Sequence, residues 1–385
     1  MLLIYLGGII AYLLYFLAVV DITFSKRTSD ALLERISHFK YSFKRKIFVN
    51  SRFHMLVTRP HPHGIVSKCD WVFLHREFIG DKSEQPRIIY VQSIMLPFFG
   101  ETILPGIDFK FILISGGNDR SVPRNLNPAF GPYKGPYLQF NNTGGSLWEA
   151  IVTNLWLIHW YAENKDMNHP MVSTLPTGMN PNECHPDNTA SIPKHIKPLH
   201  ERPLLVLQID RVRSGISTYQ DRREVERACG QSSICHQGFI NTHENATNPD
   251  GSHKDLSHKR NIFLKLLVSY PFVMCVHGGG IDPSPKAWEA IRAGTIPIIL
   301  NNTLYDAYQQ LPVLFIDNFV TFLQQRDASL HLLQSTIQRL KPYYTDGALL
   351  RNQTLIRLSA RYWFHRMLDK LSNYYTEEDL LNYYY

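Results

Sequence analysis

The residues best suited to chemistry lie close together between positions 272 and 300. Residues 272–276, FVMCV, form a continuous apolar run, which is typical of a strand buried on both faces of a sheet. Gly278, Gly279 and Gly280 follow. Because glycine has no side chain, this run lets the backbone turn sharply and approach a ligand closely. The pattern predicts a strand that ends in a ligand-binding bend.

A short helix is predicted directly after the glycines. Ser284 is a good N-cap, Pro285 suits the first helical turn, and Gly294 suits the position just past the last turn. The N-terminus of this helix would point backbone N–H groups and the positive end of its dipole toward the bend. The segment therefore predicts an anion site, and a diphosphate suits it.

Lys286 and Glu289 lie three residues apart and so share one face of this helix. A lysine can neutralise phosphate, and a carboxylate can accept two hydrogen bonds from the vicinal hydroxyls of a ribose. The alternative is an ordinary exposed ion pair that contributes only about 0.3 kcal/mol. The adjacent glycine bend favours the ligand-binding interpretation.

The stretch SPKAWEAIRAGTIPII resembles the donor-binding segment of exostosin-like glycosyltransferases, where the run is roughly S-P-R-x-x-E-A-I-x-x-G-C-x-P-V-I, and the similarity covers residues 270–317. The resemblance implies a GT-B fold, with two Rossmann-like domains facing across a cleft and a nucleotide sugar held mainly by the second. It places Ser284, Lys286 and Glu289 in the donor site. Lys286 stands where the family usually has arginine, so the bidentate fork of a guanidinium is lost.

Strand-like runs separated by helical segments occur in both halves of the chain, which predicts two parallel α/β sheets. We expect an N-terminal Rossmann-like acceptor domain over residues 25–195 and a C-terminal Rossmann-like nucleotide-sugar-binding domain over 196–348. A packing helix and tail follow over 349–385. Helices are predicted within the first domain at 70–78 and 146–153, and one helix is predicted at 350–371. A strand is predicted in the second domain at 296–300, where the apolar run IPIIL follows Gly294.

Further donor contacts are expected in the loop after the first strand of the second domain. Arg211, Arg213 and Arg222 follow that strand, at the end of the sheet where ligands bind, and they can approach a pyrophosphate. Each of them can also be merely solvated.

A general base should come from loops of the first domain, because inverting transfer must deprotonate an acceptor hydroxyl while positive charge stabilises the departing diphosphate. The candidates are His61 and His63, in RPHPHGI, and Asp119, in SGGNDR. The histidines can instead make structural hydrogen bonds, and their H-x-H spacing does not specify a metal. The sequence contains no D-x-D, so we expect no metal and no cofactor, with the nucleotide sugar as co-substrate.

Two other functions stay open. His277 with the three glycines matches the HGGG oxyanion-hole signature of some esterases, but no G-x-S-x-G nucleophile motif occurs in the chain. A non-catalytic, membrane-anchored glycan-binding protein with a degenerate transferase fold would keep the cleft and lack a competent base. The net charge of +7 favours anionic partners, and no nucleic-acid-binding motif is present.

Residues 2–20 carry no charge and are long enough to span a bilayer as a helix. We expect a transmembrane signal-anchor over residues 1–24; a cleavable signal peptide and a buried first helix are the alternatives. Sequons at Asn141, Asn245, Asn301 and Asn352 favour a Golgi or other secretory-pathway membrane, whereas Lys26 and Arg27 favour the opposite orientation. Cys229 and Cys235 can pair in an oxidising compartment, or all five cysteines can be unlinked thiols.

Overall fold

The computed structural model describes residues 40–41, 55–56, 64–75, 77–81, 85–126, 146–179, 196–210, 220–238, 257–283 and 285–384. These residues form two α/β units, each built on one sheet, so the prediction of two α/β domains is confirmed. The expected anchor, residues 1–24, lies outside them. Within the described ranges, no helix is both long enough and apolar enough to cross a membrane.

The first sheet has seven strands in the order β1-β3-β2-β4-β5-β6-β7. Its strands are β1 Lys40–Tyr41, β2 Trp71–Leu74, β3 Glu77–Ile79, β4 Ile88–Gln92, β5 Phe111–Gly116, β6 Leu157–Ala162 and β7 Val172–Thr174. Strands β2, β4, β5, β6 and β7 run parallel. Every residue of β5 and β6 is buried, as expected for central strands covered on both faces.

The predicted helix over 70–78 is wrong. Strands β2 and β3 instead form an antiparallel pair in which Phe73 lies opposite Phe78. The residues of β2 alternate between two cores, because Trp71 and Phe73 pack on one side of the sheet and Val72 packs on the other. That period of two is the period of a strand, and the bulky aromatic side chains concealed it in the sequence.

The second sheet has five parallel strands in the order β12-β11-β10-β8-β9. Its strands are β8 Val206–Gln208, β9 Cys235–Gln237, β10 Phe272–Met274, β11 Ile296–Leu300 and β12 Leu314–Ile316. Strand β9 was not predicted, because it is short, half-buried and lies at the edge of the sheet. A disulfide between Cys229 and Cys235 joins it to the preceding helix, so the pairing interpretation is confirmed.

Ten α-helices accompany these strands in the described part of the chain, besides a mixed helical stretch over residues 93–106 and short 3-10 helices at Ile65–Lys68, Arg124–Leu126 and Leu199–Glu201. The α-helices are α1 Leu147–Val152, α2 Gln220–Gly230, α3 Ser257–Ser269, α4 Lys286–Ala293, α5 Tyr305–Tyr308, α6 Phe319–Gln324, α7 Arg326–Tyr344, α8 Leu349–Arg357, α9 Ala360–Leu371 and α10 Glu377–Tyr384. The prediction of α1 is confirmed, and its N-terminus carries a capping box of Ser146 and Glu149.

The C-terminal part is more helical than expected. The single helix predicted at 350–371 is two helices, because the Ser359 hydroxyl accepts a hydrogen bond from the backbone N–H of Tyr362 and starts α9 anew. Helix α9 packs against β5 and β6 of the first sheet. Helix α10 is fixed to the same domain by an ion pair of 2.8 Å between Arg87 and Asp379. The end of the chain therefore returns from the second domain to the first.

The two sheets share one continuous apolar core. One cluster of buried side chains contains Val72 of the first sheet, Val273 of the second, Trp288 of α4 and Met367 of α9. The domains thus contact each other through buried apolar surface as well as through polar loops, and burial of such surface stabilises their relative placement.

Candidate active site

The strand order of the second sheet fixes where a ligand can bind. Numbered along the chain and taken from the β9 edge, the order is 2-1-3-4-5, the flavodoxin-like doubly wound arrangement. Connections leave β8 and β10 in opposite directions, which opens a crevice outside their carboxyl ends. The residues at that point are Asp210, two positions beyond β8, and His277, three positions beyond β10.

A buried carboxylate lies at this switch point. The Asp210 side chain is 0% exposed, and its Oδ1 atom contacts the Lys286 ammonium. The Arg222 Nε atom lies 3.7 Å from the same oxygen. Because an isolated buried carboxylate is costly, these two cations are its counter-ions. The three groups together carry a formal charge of +1.

This contact changes the expectation for Lys286. The sequence suggested an ammonium that faces either solvent or a phosphate, whereas the structure holds it against Asp210 with only 14% of the side chain exposed. Its Nζ atom also lies 3.4 Å from the carbonyl oxygen of Met274. An ammonium has three N–H donors, so one donor is left for a ligand oxygen after these two contacts. Nothing in the sequence points to Asp210 except its position after a strand.

The glycine bend is more crowded than predicted. Cβ atoms added to the three glycines would collide with polar side chains of both domains, in the pairs Gly278 with Arg222, Gly279 with Asp119 and Gly280 with Asn164. The missing side chains therefore allow protein groups of both domains to approach the backbone of the bend. The role of the three glycines as donor contacts stays a prediction. The bend does face the other domain, as predicted.

The helix after the bend starts one residue later than predicted. Pro285 is the N-cap of α4 and Lys286 its first residue, while Ser284 lies outside the described residues. Gly294 ends the helix with a left-handed φ of 83°, so that prediction is confirmed. Glu289 lies in the first turn and is only 6% exposed, which excludes the interpretation as an ordinary exposed pair with Lys286.

His277 forms a pair that sequence reasoning missed. Its Nε2 atom lies 3.0 Å from a carboxylate oxygen of Asp221, in the first turn of α2. Burial lowers the pKa of His277, and Arg222 lowers it further, while Asp221 and Asp210 oppose that shift. Its position directly before the three glycines is a signal in the sequence, although that pattern also matches the esterase motif.

Loops of the first domain complete the crevice. Asp119, three residues beyond β5, is exposed and lies beside Gly279. The Asn164 side-chain oxygen, just beyond β6, accepts a hydrogen bond of 2.9 Å from the backbone N–H of Asp282. The carboxyl ends of both sheets therefore meet at the glycine bend, and the structure brings Asp119 to the donor-site candidates Gly278, Gly279 and Gly280.

Two carboxylates hold the domains together next to this crevice. Asp282 accepts hydrogen bonds from the backbone N–H of Thr177, at 3.0 Å, and from the hydroxyl of Tyr308, at 2.7 Å. Asp306 lies 3.1 Å from the Lys165 ammonium. The contacts of Asp282 with Thr177 and of Asp306 with Lys165 cross between the two domains, so they link the domains beside the crevice.

A narrow cavity opens beside His277 at the carboxyl ends of β10 and β11. Its wall is mostly apolar and includes Ile281, Tyr308 and Phe315. Aromatic and aliphatic walls with a few polar groups at one end are typical of small-molecule sites. The cavity has room for about one water molecule, so as it stands it does not admit a nucleotide base.

Four of the predicted site residues lie outside the described residues besides Ser284, namely His61, His63, Arg211 and Arg213. Their roles stay predictions. Among the residues that the structure does describe, no group of three or more histidine, cysteine, aspartate or glutamate side chains could hold a metal ion.

No protein-family model matches the chain, and no curated protein matches it. Among solved structures the chain is similar to a spinosyn rhamnosyltransferase, SpnG, complexed with thymidine diphosphate, at 12% identity over 75% of this chain and 70% of the other, with a TM-score of 0.28. It is also similar to a glycosyltransferase from Rickettsia africae ESF-5, at 13% identity over 74% and 77%, with a TM-score of 0.34. Sequence identities and TM-scores this low do not establish a function. The proposed function therefore depends on the residues of the chain itself.

Proposed function

We propose that this protein is a glycosyltransferase that moves a sugar from a nucleotide-sugar donor to a hydroxyl of a glycan or glycoprotein. The observation that carries the proposal is the meeting of two α/β sheets at one crevice. The switch point of the second sheet supplies the cationic cluster of Lys286 and Arg222 there. The first sheet supplies an exposed carboxylate, Asp119, at the same place.

The donor diphosphate would lie at the switch point. The remaining donor of Lys286 and the net positive charge of the cluster would stabilise the charge that develops as the nucleoside diphosphate departs. Buried Glu289, one turn inside α4, would accept hydrogen bonds from the ribose hydroxyls. No metal takes part in this proposal.

The acceptor hydroxyl would be deprotonated from the first-domain side. Asp119 is the described candidate for the base, and His61 and His63 are the others. In an inverting displacement, the acceptor oxygen bonds to the anomeric carbon, the bond to the diphosphate breaks, and the base keeps the proton. Exostosin-like membership, an anchor over residues 1–24 and residence in a Golgi or other secretory-pathway membrane are further parts of the proposal.

Thermal unfolding with nucleotides tests the donor part. We expect a nucleoside diphosphate at a hundredfold excess over its Kd to stabilise the protein by about 2.7 kcal/mol. The non-catalytic alternative predicts glycan binding with no such stabilisation. A panel of nucleotide sugars, followed by detection of the released nucleoside diphosphate, then separates a transferase from a binding protein.

Glu289→Gln tests the ribose contact. Loss of a hydrogen bond to a charged group costs about 1.5–3 kcal/mol, so we expect the donor KM to rise roughly tenfold or more with kcat little changed. Glu377→Gln is the matched control, because Glu377 is an exposed glutamate of α10. Donor kinetics that stay the same in Glu289→Gln would remove this residue from the site.

A further inference from the structure

An exposed apolar patch lies on the first domain, away from the crevice. It consists of Lys110, Leu155, Trp156 and Tyr374, and we call it the amino-end patch. Leu155 is 82% exposed, Tyr374 53% and Trp156 38%. Large apolar side chains grouped on a surface in this way mark an interaction site more often than single exposed ones do.

Contacts among its members fix the geometry of the amino-end patch. The Lys110 ammonium donates a hydrogen bond of 2.6 Å to the carbonyl oxygen of Leu155. It also lies 5.9 Å from the centre of the Trp156 ring and 5.5 Å from that of Tyr374. Three segments that are far apart in the sequence thus converge on one cation, with aromatic rings around it.

The patch lies at the end of the sheet opposite to the proposed active site. Lys110 directly precedes β5, and Trp156 directly precedes β6, whereas the crevice lies beyond the carboxyl ends of these strands. Each of the two strands has six residues. At about 3.3 Å per residue, roughly 20 Å separates the patch from the crevice.

We propose that the amino-end patch rests on the surface of the lipid bilayer in which the N-terminal segment is anchored. Tryptophan and tyrosine favour the headgroup level of a bilayer, and the Lys110 ammonium, held between the two rings, adds a positive charge at the level of the phosphates. Leucine inserts into the adjoining acyl region. The proposal rests on the proposed anchor, because residues 2–20 supply the uncharged run that keeps the domain at a membrane.

The chain between the anchor and the first sheet is long enough for this placement. Strand β1 is parallel to β3, and β3 is antiparallel to β2, with Lys40 opposite Glu77 and Glu77 opposite Leu74. Lys40 therefore lies at the carboxyl-end side of the sheet, about 20 Å farther from the membrane than the patch. Residues 25–39 can span up to about 50 Å, so they reach it easily. The crevice then faces away from the bilayer, toward acceptors in the aqueous phase.

Tryptophan fluorescence of the full chain in vesicles tests this proposal. The chain has 6 tryptophans, of which Trp71, Trp160, Trp288 and Trp363 are buried. Trp156 is exposed and Trp148 is half-buried. Phosphatidylcholine vesicles with acyl chains brominated near the headgroups quench only tryptophans at the membrane surface. We expect quenching of the native chain, loss of more than half of it in Trp156→Phe, and little change in the matched control Trp148→Phe.

A second variant tests the patch without removing the reporter. Leu155→Glu places a charge at a position exposed enough that folding is not affected, and we expect it to decrease the quenching of Trp156 while flotation with the vesicles persists. If the native chain floats with vesicles and Trp156→Phe is quenched as strongly as the native chain, the patch proposal is wrong and the anchor proposal stands. A protein that does not float would overturn both the anchor and the patch. Glycosyl transfer is measured separately and is decided by neither result.

Discussion

Replacing Lys286 with methionine tests whether the main role of this lysine is to neutralise the buried Asp210 carboxylate. Lys286→Met keeps an unbranched apolar side chain but leaves the buried Asp210 carboxylate with Arg222 alone, 3.7 Å away. Removing one partner of a buried ion pair decreases the free energy of unfolding by about 3–5 kcal/mol. Because Arg222 still lies near Asp210, we expect the lower value. At roughly 2–4 °C for each kcal/mol in a domain of this size, we expect the melting temperature to fall by about 6–12 °C.

The double variant Asp210→Asn/Lys286→Met separates stability from ligand binding. It removes both charges, so we expect most of the lost stability to return, since neutral replacements of buried ion pairs are often tolerated. Stabilisation by a nucleoside diphosphate should stay weak in both variants if Lys286 also contacts the diphosphate. Lys341→Met on the exposed face of α7 is the control. A Lys286→Met protein that melts at the native temperature would refute the ion-pair reasoning.

Two further predictions concern parts of the structure away from the crevice. Burial, together with Lys370 and Arg366, lowers the pKa of His159 to about 4. The unfolded chain therefore takes up this proton at higher pH than the folded chain, and stability should fall as the pH decreases from about 6.5 to about 4, on the order of 3 kcal/mol in all. His159→Gln should flatten that slope in denaturant unfolding, and an unaltered slope would contradict the assignment. Reduction of the Cys229–Cys235 disulfide should cost about 2 kcal/mol, and the Cys229→Ser/Cys235→Ser variant should show the same loss and no response to dithiothreitol. Equal stability of the native protein with and without the reductant would show that the crosslink contributes little.

Much of the second domain was predictable because its signals are local. Strand β11, Ile296–Leu300, was predicted with its observed bounds, since a short apolar run between a glycine-ended helix and a polar loop leaves few alternatives. The end of α4 followed from Gly294, because glycine adopts a positive φ at little cost. Strand β9 was missed because a half-buried edge strand has no apolar run to reveal it.

The candidate site was predictable only in part. The sequence brought out the glycine bend, Lys286 and Glu289, and the structure places all of them at the meeting point of the two sheets. It gave no indication that Asp210 would be the partner of Lys286, because 76 positions separate them in the chain. The pairing of Asp221 with His277 likewise depends on tertiary packing, which places the first turn of α2 beside the residues that follow β10.

The sequence by itself determined the alternation of strands and helices, the position of the glycine bend and the end of α4, because each depends on residues within one turn or one strand of each other. Tertiary structure alone decided that side chains of both domains cover the glycines and that a buried carboxylate holds Lys286. The physical reason is that a buried charge takes whichever counter-ion the packing brings within reach, and packing depends on residues far apart in the chain.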